Sequence, residues 1–127
     1  MITYAFHLAQ SLLRERVKIR STKWPHVRDE YLKSNPRCEA CGGKRFIQVH
    51  HKKPYHLRPE LELDMTNLIT LCMGLKMDHL RIGHGGDFEA FNPCVLDHVA
   101  KVATTPKLCK QIELEAKQGR LYEKESA

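Results

Sequence analysis

Two cysteines separated by two residues constrain the fold of this chain most. Cys38 and Cys41 are followed at once by two glycines, and two thiolates from one tight turn can reach a single tetrahedral zinc ion. A redox pair is the alternative, but redox pairs normally open a helix after a strand. Here Pro36 precedes the pair, so we predict a structural Zn²⁺ site.

Length and composition bound the class of protein. At 127 residues the chain fits one domain, which we expect to span residues 1–127. No apolar stretch is long enough to cross a bilayer, and the N-terminus is too interrupted by polar residues for a signal peptide. The cytoplasm is therefore the expected location, with no membrane partner. Five cysteines in such a chain argue against a disulfide framework.

The charge of the chain favours a polyanionic partner. Net charge is +6 with a sequence pI of about 9.2, which is by itself a weak signal. Basic residues also follow the adjacent histidines at positions 50 and 51. Lys52, Lys53 and Arg58 are candidates for contacts to the phosphates of a nucleic acid, although solvated loop positions explain Lys52 and Lys53 equally well.

Hydrophobic periodicity predicts a short hairpin followed by a helix. Residues 45–50 alternate apolar and polar positions, and residues 67–71 are mostly apolar. Both segments are predicted strands, antiparallel if the loop between them simply returns. A short helix is expected over residues 75–82, with Gly83 ending it.

Helices are expected on either side of this hairpin. The N-terminal helices are predicted over residues 4–33, with Ser21 or Thr22 capping the second of them. A C-terminal helical region is predicted over residues 95–124, interrupted near residues 104–106. The fold class is therefore α+β, and a metal would help to stabilise a sheet this small.

The adjacent histidines become informative together with the segments around them, because a histidine pair alone is a weak signal. With the cysteine pair, the chain carries a series of ordered motifs: Val49-His50-His51, Asn67-Leu68-Ile69-x-Leu71-Cys72 and His79, with Arg20-Ser21-x-x-Trp24 and Asn35-Pro36-x-Cys38 before them and Gly83-His84-Gly85-Gly86-Asp87-Phe88 after them. Read together, these motifs resemble the HNH endonuclease family, of the phage and bacterial type with a zinc knuckle. The resemblance covers roughly residues 20–93, with a motif core over about residues 36–88.

The resemblance implies a ββα-metal fold, in which a hairpin and a helix hold one catalytic divalent ion (Mg²⁺, Mn²⁺, Ni²⁺ or Zn²⁺). It implies that His51 is the general base and that His50 and His79 bind the ion. Asn67 would fix the loop that orients the base. Members of the family typically cleave phosphodiester bonds in DNA, so duplex DNA is the expected partner of a monomer or homodimer in a bacterial or phage-infected cell.

The chemistry of phosphodiester hydrolysis agrees with these roles. The reaction needs a deprotonated water on one side of phosphorus and stabilisation of the departing oxygen on the other. Adjacent residues of a strand project to opposite faces, so His50 and His51 can divide these tasks. Because a histidine titrates near about pH 6.5, we expect activity to fall steeply below about pH 6.

One departure from the family pattern concerns the structural zinc site. Zinc-containing members complete the knuckle with two further cysteines, the second immediately before the helix histidine. Here Cys72 is present, but Asp78 precedes His79. Three alternatives follow: Asp78 completes the site as the fourth ligand, Cys94 folds back to supply a thiolate, or the site is degenerate and empty. We expect Asp78, because a carboxylate can bind zinc and no long excursion of the chain is needed.

A second open question concerns His84. It follows His79 by five residues, so on a helix of 3.6 residues per turn the two side chains would point in different directions. If Gly83 breaks the helix, His84 can become a third ligand of the catalytic ion. Otherwise it contacts phosphate or has a structural role.

Three classes of function fit the sequence. The first is a metal-dependent endonuclease that nicks or cuts DNA. The main alternative is a non-catalytic, zinc-stabilised module that binds nucleic acid, and the third is a structural zinc domain of a larger phage or bacterial complex. The sequence leaves open the target sequence, the choice between DNA and RNA, and the identity of the catalytic metal.

Overall fold

A computed structural model describes residues 21–126, with side-chain positions for residues 21–118. The helix predicted at the start of the N-terminal region, before residue 21, lies outside the described residues. The second N-terminal helix is present as α1, Trp24–Ser34, with Pro25 in its first turn. The predicted cap is wrong, because Lys23 occupies the N-cap position without a side-chain bond. Ser21 Oγ instead accepts the Lys23 N–H at 3.2 Å.

The predicted hairpin is confirmed. Strand β1 spans Ile47–His51 and pairs antiparallel with β2, Leu68–Cys72, with Val49 opposite Thr70. Both strands start later in the chain than predicted. Phe46 has a φ of +55°, outside the extended region, and the residue before Leu68 belongs to a 3₁₀ turn, Met65–Asn67.

Strand β2 is buried along its whole length because both faces of the hairpin are covered. On one face, the Tyr31 hydroxyl of α1 donates to the carbonyl of Leu68 at 2.9 Å. The other face packs against the helices that follow the hairpin. The core there contains Ile69, Leu71, Ile82, Val95, Val99, Val102 and Ile112. A continuous apolar strand is expected where a sheet is covered on both sides.

The helix predicted over residues 75–82 differs in extent and in type. The helical backbone is a π-helical turn, His79–Gly83, and Met77 before it has a φ of +52°. The His84 N–H donates to the His79 carbonyl at 3.1 Å. This i→i+5 pattern places side chains five residues apart above one another, and π turns of this kind are frequent at functional sites.

The C-terminal region is helical with an interruption, as predicted. Helices α2, Val95–Thr104, and α3, Cys109–Ser126, are separated by a 3₁₀ turn, Pro106–Leu108. An ion pair of 2.7 Å between Arg81 and Glu113 joins the π-helical turn to α3. The α+β prediction is therefore confirmed. Among residues 21–126, no helix has the length and apolarity to cross a membrane.

Candidate metal centres and catalytic histidine

Three histidines from two elements converge on one point. His50 comes from β1, His79 begins the π-helical turn and His84 follows that turn. Each offers a ring nitrogen, and these atoms all lie within 4.8 Å of one another. The structure thus brings together the two predicted ligands of the catalytic ion and the third, conditional one.

Hydrogen bonds fix which nitrogen of two of these rings carries the proton. His84 Nδ1 lies 2.6 Å from the carbonyl oxygen of Ala90, which can only accept, so Nδ1–H is the donor. His79 Nδ1 likewise donates to Gln48 Oε1 at 2.8 Å. In neutral imidazole the other nitrogen then carries the lone pair. Both Nε2 atoms therefore present lone pairs, and they face each other at 3.1 Å.

His50 is the buried member of the cluster. Its Nε2 has no hydrogen-bond partner among the described residues, although buried polar atoms are normally paired. The ring packs on Gly83, where a Cβ would lie 3.2 Å from His50 Cε1 and Nδ1 and from Leu71 Cδ1. An orphaned nitrogen beside two opposed lone pairs fits a bound cation.

The charge state of the cluster also suits metal binding. Burial lowers the pKa of His50 well below its usual value, and the neighbouring His84 lowers it further. Burial lowers the pKa of His79 to about 3, again with His84 contributing. These imidazoles are therefore neutral at neutral pH, and the neutral ring is the form that binds metal.

His51 lies on the opposite face of β1. Its Nε2 is 2.8 Å from the Glu62 carbonyl oxygen, so Nε2–H donates and Nδ1 keeps the lone pair. The ring is buried and lies 4.4 Å from the Trp24 ring, centroid to centroid. The Glu62 carboxylate accepts the Ser21 N–H at 3.1 Å. His51 is thus held in one tautomer with a basic Nδ1.

Asn67 closes the loop between the two strands. Its Oδ1 accepts the Lys53 N–H at 2.9 Å, and its Nδ2 donates to the carbonyls of Lys53 at 3.0 Å and Leu61 at 3.3 Å. Leu61 directly precedes Glu62, whose carbonyl orients His51. Asn67 therefore lies where the resemblance places the residue that fixes the loop of the base.

The predicted knuckle residues form a second cluster. Cys38, Cys41, Cys72 and Asp78 each offer a ligand atom within 4.8 Å of the others. The turn that carries the first two is closed by Gly42 N–H donating to the Cys38 carbonyl at 2.8 Å. Gly42 has a φ of +76°, which a glycine adopts without strain. All five cysteines of the chain are free thiols.

Asp78 fits the position of a fourth zinc ligand. Its side chain is buried, and its Oδ2 accepts from Cys38 Sγ at 3.4 Å and Cys72 Sγ at 3.3 Å. Its Oδ1 has no hydrogen-bond partner among the described residues. Burial raises the pKa of Cys38 and the Asp78 carboxylate raises it further, so these thiols need a cation to ionise. Cys94 is exposed and lies outside the cluster.

The family comparison agrees with this geometry. Residues 38–74 match the family model described as HNH endonuclease. This segment of the chain is therefore similar to HNH endonucleases. The HNH match contains both strands, the three cysteines of the knuckle and the adjacent histidines, but it ends before His79 and His84. Searches of curated proteins and of solved structures found no match.

The predicted phosphate contacts lie beside the hairpin. Lys52, Lys53 and Arg58 line a cleft of about 750 Å³ between the loop of residues 52–67 and residues 91–97. Asn67 lines the same cleft, and Arg58 pairs with Glu60. Their role in binding phosphate stays a prediction.

Sequence reasoning missed the groups that orient the histidines. Gln48 could have been predicted, because a residue two positions before His50 in a strand lies on the same face. The backbone carbonyls of Glu62 and Ala90 could not have been predicted, because no residue type in the sequence indicates them. Trp24 also belongs to this surrounding, because its ring lies 4.4 Å from the His51 ring, centroid to centroid.

Proposed function

We propose that this protein is a divalent-metal-dependent endonuclease that hydrolyses phosphodiester bonds in double-stranded DNA. The observation that carries the proposal is the 3.1 Å separation of the His79 and His84 Nε2 atoms, both bearing lone pairs. Sharing a proton between them would require a charged imidazole, which burial of His79 disfavours. A cation bound by both Nε2 atoms would remove the repulsion between their lone pairs.

The donor set favours particular metals. Imidazole nitrogen suits Zn²⁺, Ni²⁺, Cu²⁺ and Fe²⁺, whereas Mg²⁺ and Ca²⁺ prefer oxygen ligands. Three imidazoles are therefore better suited to Zn²⁺ or Ni²⁺ than to Mg²⁺, within the range of ions that the family resemblance implies. A divalent ion bound there supplies positive charge to stabilise the departing oxygen of the phosphodiester.

His51 is the proposed general base. Its Nδ1 takes a proton from the attacking water, and the Glu62 carbonyl continues to accept the Nε2–H when the ring becomes positively charged. Asn67 holds the loop that carries this carbonyl. Because His50 and His51 project to opposite faces of β1, the base and the charge that stabilises the leaving oxygen can act on opposite sides of one phosphate.

The arrangement favours nicking. One catalytic centre cuts one strand, so cutting both strands requires a dimer or two separate events. Lys52, Lys53 and Arg58 are proposed to contact flanking phosphates. Such contacts do not depend on sequence and weaken as salt rises, so each lysine replaced by alanine should lower the salt dependence of binding by about one counterion.

The test is relaxation of supercoiled plasmid with Zn²⁺, Ni²⁺, Mn²⁺ or Mg²⁺. His51→Ala should slow nicking about 10²–10⁴-fold, the usual contribution of a general base. His26→Ala, at an exposed position on α1, is the matched control and should nick at the wild-type rate. Nicking by His51→Ala at the wild-type rate would remove the catalytic assignment.

The same assay tests the alternative function, a non-catalytic module that binds nucleic acid. Binding of plasmid by the wild type without relaxation in any of the four metals would favour the module. Zinc bound at the cysteine cluster would then serve only to stabilise the fold.

A further inference from the structure

Three large apolar side chains are exposed at one end of the hairpin. Phe46 lies directly before β1 and has 72% of its surface exposed, and Leu75, in the segment that follows β2, is fully exposed. Met77, two residues later, is 38% exposed. We call Phe46, Leu75 and Met77 the wedge. Groups of this kind on a protein surface often mark a binding site.

The backbone holds the wedge in a strained conformation. Phe46 has a φ of +55° and Met77 a φ of +52°, values that are unfavourable for bulky side chains. The two segments are joined where the Met73 N–H donates to the Phe46 carbonyl at 2.8 Å. A Cβ at Gly74 would lie 3.1 Å from Phe46 Cδ2, so any larger residue there would push the ring aside. Strain that is retained in this way is concentrated at functional sites.

The wedge is surrounded by positive charge. Lys44, Arg45 and Lys76 are exposed beside it, and residues 42–49 and 73–77 contain no aspartate or glutamate. A second copy of this chain is a poor partner, because a symmetric contact would bring the same cations face to face. A polyanion with apolar surface between its charges is complementary, and stacked bases between phosphates have this character.

The wedge lies next to the histidine cluster. Phe46 is two residues before Gln48, whose Oε1 accepts the His79 Nδ1–H at 2.8 Å, and Met77 is two residues before His79. DNA bound at the histidines would therefore pass beside the wedge.

We propose that the wedge inserts Phe46 and Leu75 between stacked bases of duplex DNA beside the scissile phosphate and locally opens the stack. Apolar side chains act in this way in proteins that kink DNA from the minor groove, with cations contacting the flanking backbone. The inference rests on the proposed function, since it takes DNA as the ligand.

The experiment measures unstacking separately from cleavage. Zinc-loaded protein carrying His51→Ala, in which nicking should be too slow to disturb the titration, is added to a duplex with 2-aminopurine at repeated positions. Fluorescence and affinity are recorded. Binding should raise the fluorescence, because 2-aminopurine brightens when it leaves the stack. Adding Phe46→Gly, which keeps the left-handed backbone without strain, or Leu75→Ser should abolish the rise and weaken binding about tenfold.

The matched control is Leu114→Ser, which removes a side chain 58% exposed on α3 and should leave fluorescence and affinity unchanged. The proposal is overturned if the fluorescence rise is undiminished with Phe46→Gly and Leu75→Ser. It is also overturned if the wild-type protein sediments as a dimer that either substitution dissociates. Wild-type protein with His51 intact is assayed for nicking in parallel. Nicking without unstacking refutes the wedge alone, whereas unstacking without nicking refutes the endonuclease alone.

Discussion

The Nε2 atoms of His79 and His84 lie 3.1 Å apart because a π-helical turn joins the two residues. In an α-helix, residues five apart point about 140° away from each other. The His84 N–H bonds to the His79 carbonyl at 3.1 Å, which is the i→i+5 pattern. The π geometry thus converts a spacing that separates ligands into one that pairs them.

Gln48 should influence metal affinity without binding the metal. Its Oε1 accepts the His79 Nδ1–H at 2.8 Å and so keeps the lone pair on Nε2. Losing an orienting partner of a metal ligand typically weakens affinity about 10–100-fold, which we expect for Gln48→Leu in calorimetric titration with Zn²⁺ or Ni²⁺. Gln111→Leu on α3 is the control. Equal affinities in the two variants would show that Gln48 does not orient His79.

Gly83→Ala should damage the histidine cluster. The new methyl group would lie 3.2 Å from two atoms of the His50 ring and from Leu71 Cδ1, and overpacking of this kind typically costs about 1–3 kcal/mol. Without that clash, alanine would stabilise a helix by about 1 kcal/mol. Thermal unfolding measures the change in stability, and metal titration measures the change in metal affinity. A higher melting temperature with unchanged metal affinity would contradict the packing of His50 on Gly83.

Asp78 should be required for the structural metal. We expect Asp78→Ala to lose the zinc held by the cysteine cluster and to unfold at a lower temperature, since a structural metal contributes directly to folding free energy. Asp78→Cys supplies a fourth thiolate and should retain the metal. Zinc per chain, with the absorption of the Co²⁺-substituted protein, reports both results. Full zinc content in Asp78→Ala would eliminate the carboxylate as a ligand.

Asn67→Ala should slow nicking and leave both metals bound. The substitution removes three hydrogen bonds that close the loop, and leaving the Lys53 N–H and carbonyl without this partner costs about 1–3 kcal/mol where such groups are shielded from water. The Glu62 carbonyl that holds His51 should then lose its fixed position. Asn67→Asp keeps the acceptor for the Lys53 N–H and should retain more activity than Asn67→Ala. Equal nicking rates for the wild type and Asn67→Ala would contradict the orienting role.

Low pH should stop nicking before it releases the catalytic metal. The pKa of His79 is about 3 and that of His50 is also lowered, so both rings stay neutral as the pH falls through the ordinary histidine range and protons compete weakly with the metal. A histidine base is ordinarily protonated below about pH 6. Dialysis at pH 5 and pH 7, followed by metal analysis and plasmid relaxation, tests this. Loss of metal in step with activity would contradict it.

Residues 38–74 show how much of the fold and site can be predicted from local sequence patterns. The hairpin and the knuckle were predictable, because strand alternation and the spacing of Cys38 and Cys41 are short-range properties. The start of β1 was displaced by two residues, where Phe46 has a left-handed backbone and packs beside Gly74, and the start of β2 by one, where a 3₁₀ turn precedes the strand. No periodicity signals the contact with Gly74.

The sequence by itself determined which groups are available: adjacent histidines on a strand, a cysteine pair in a tight turn and an aspartate in place of a thiol. The tertiary structure decided how they are combined. The π-helical turn placed His84 with His50 and His79, and packing placed Asp78 among the cysteines. Residue type and spacing are local, whereas a ligand set depends on backbone geometry that only the packing of distant segments fixes.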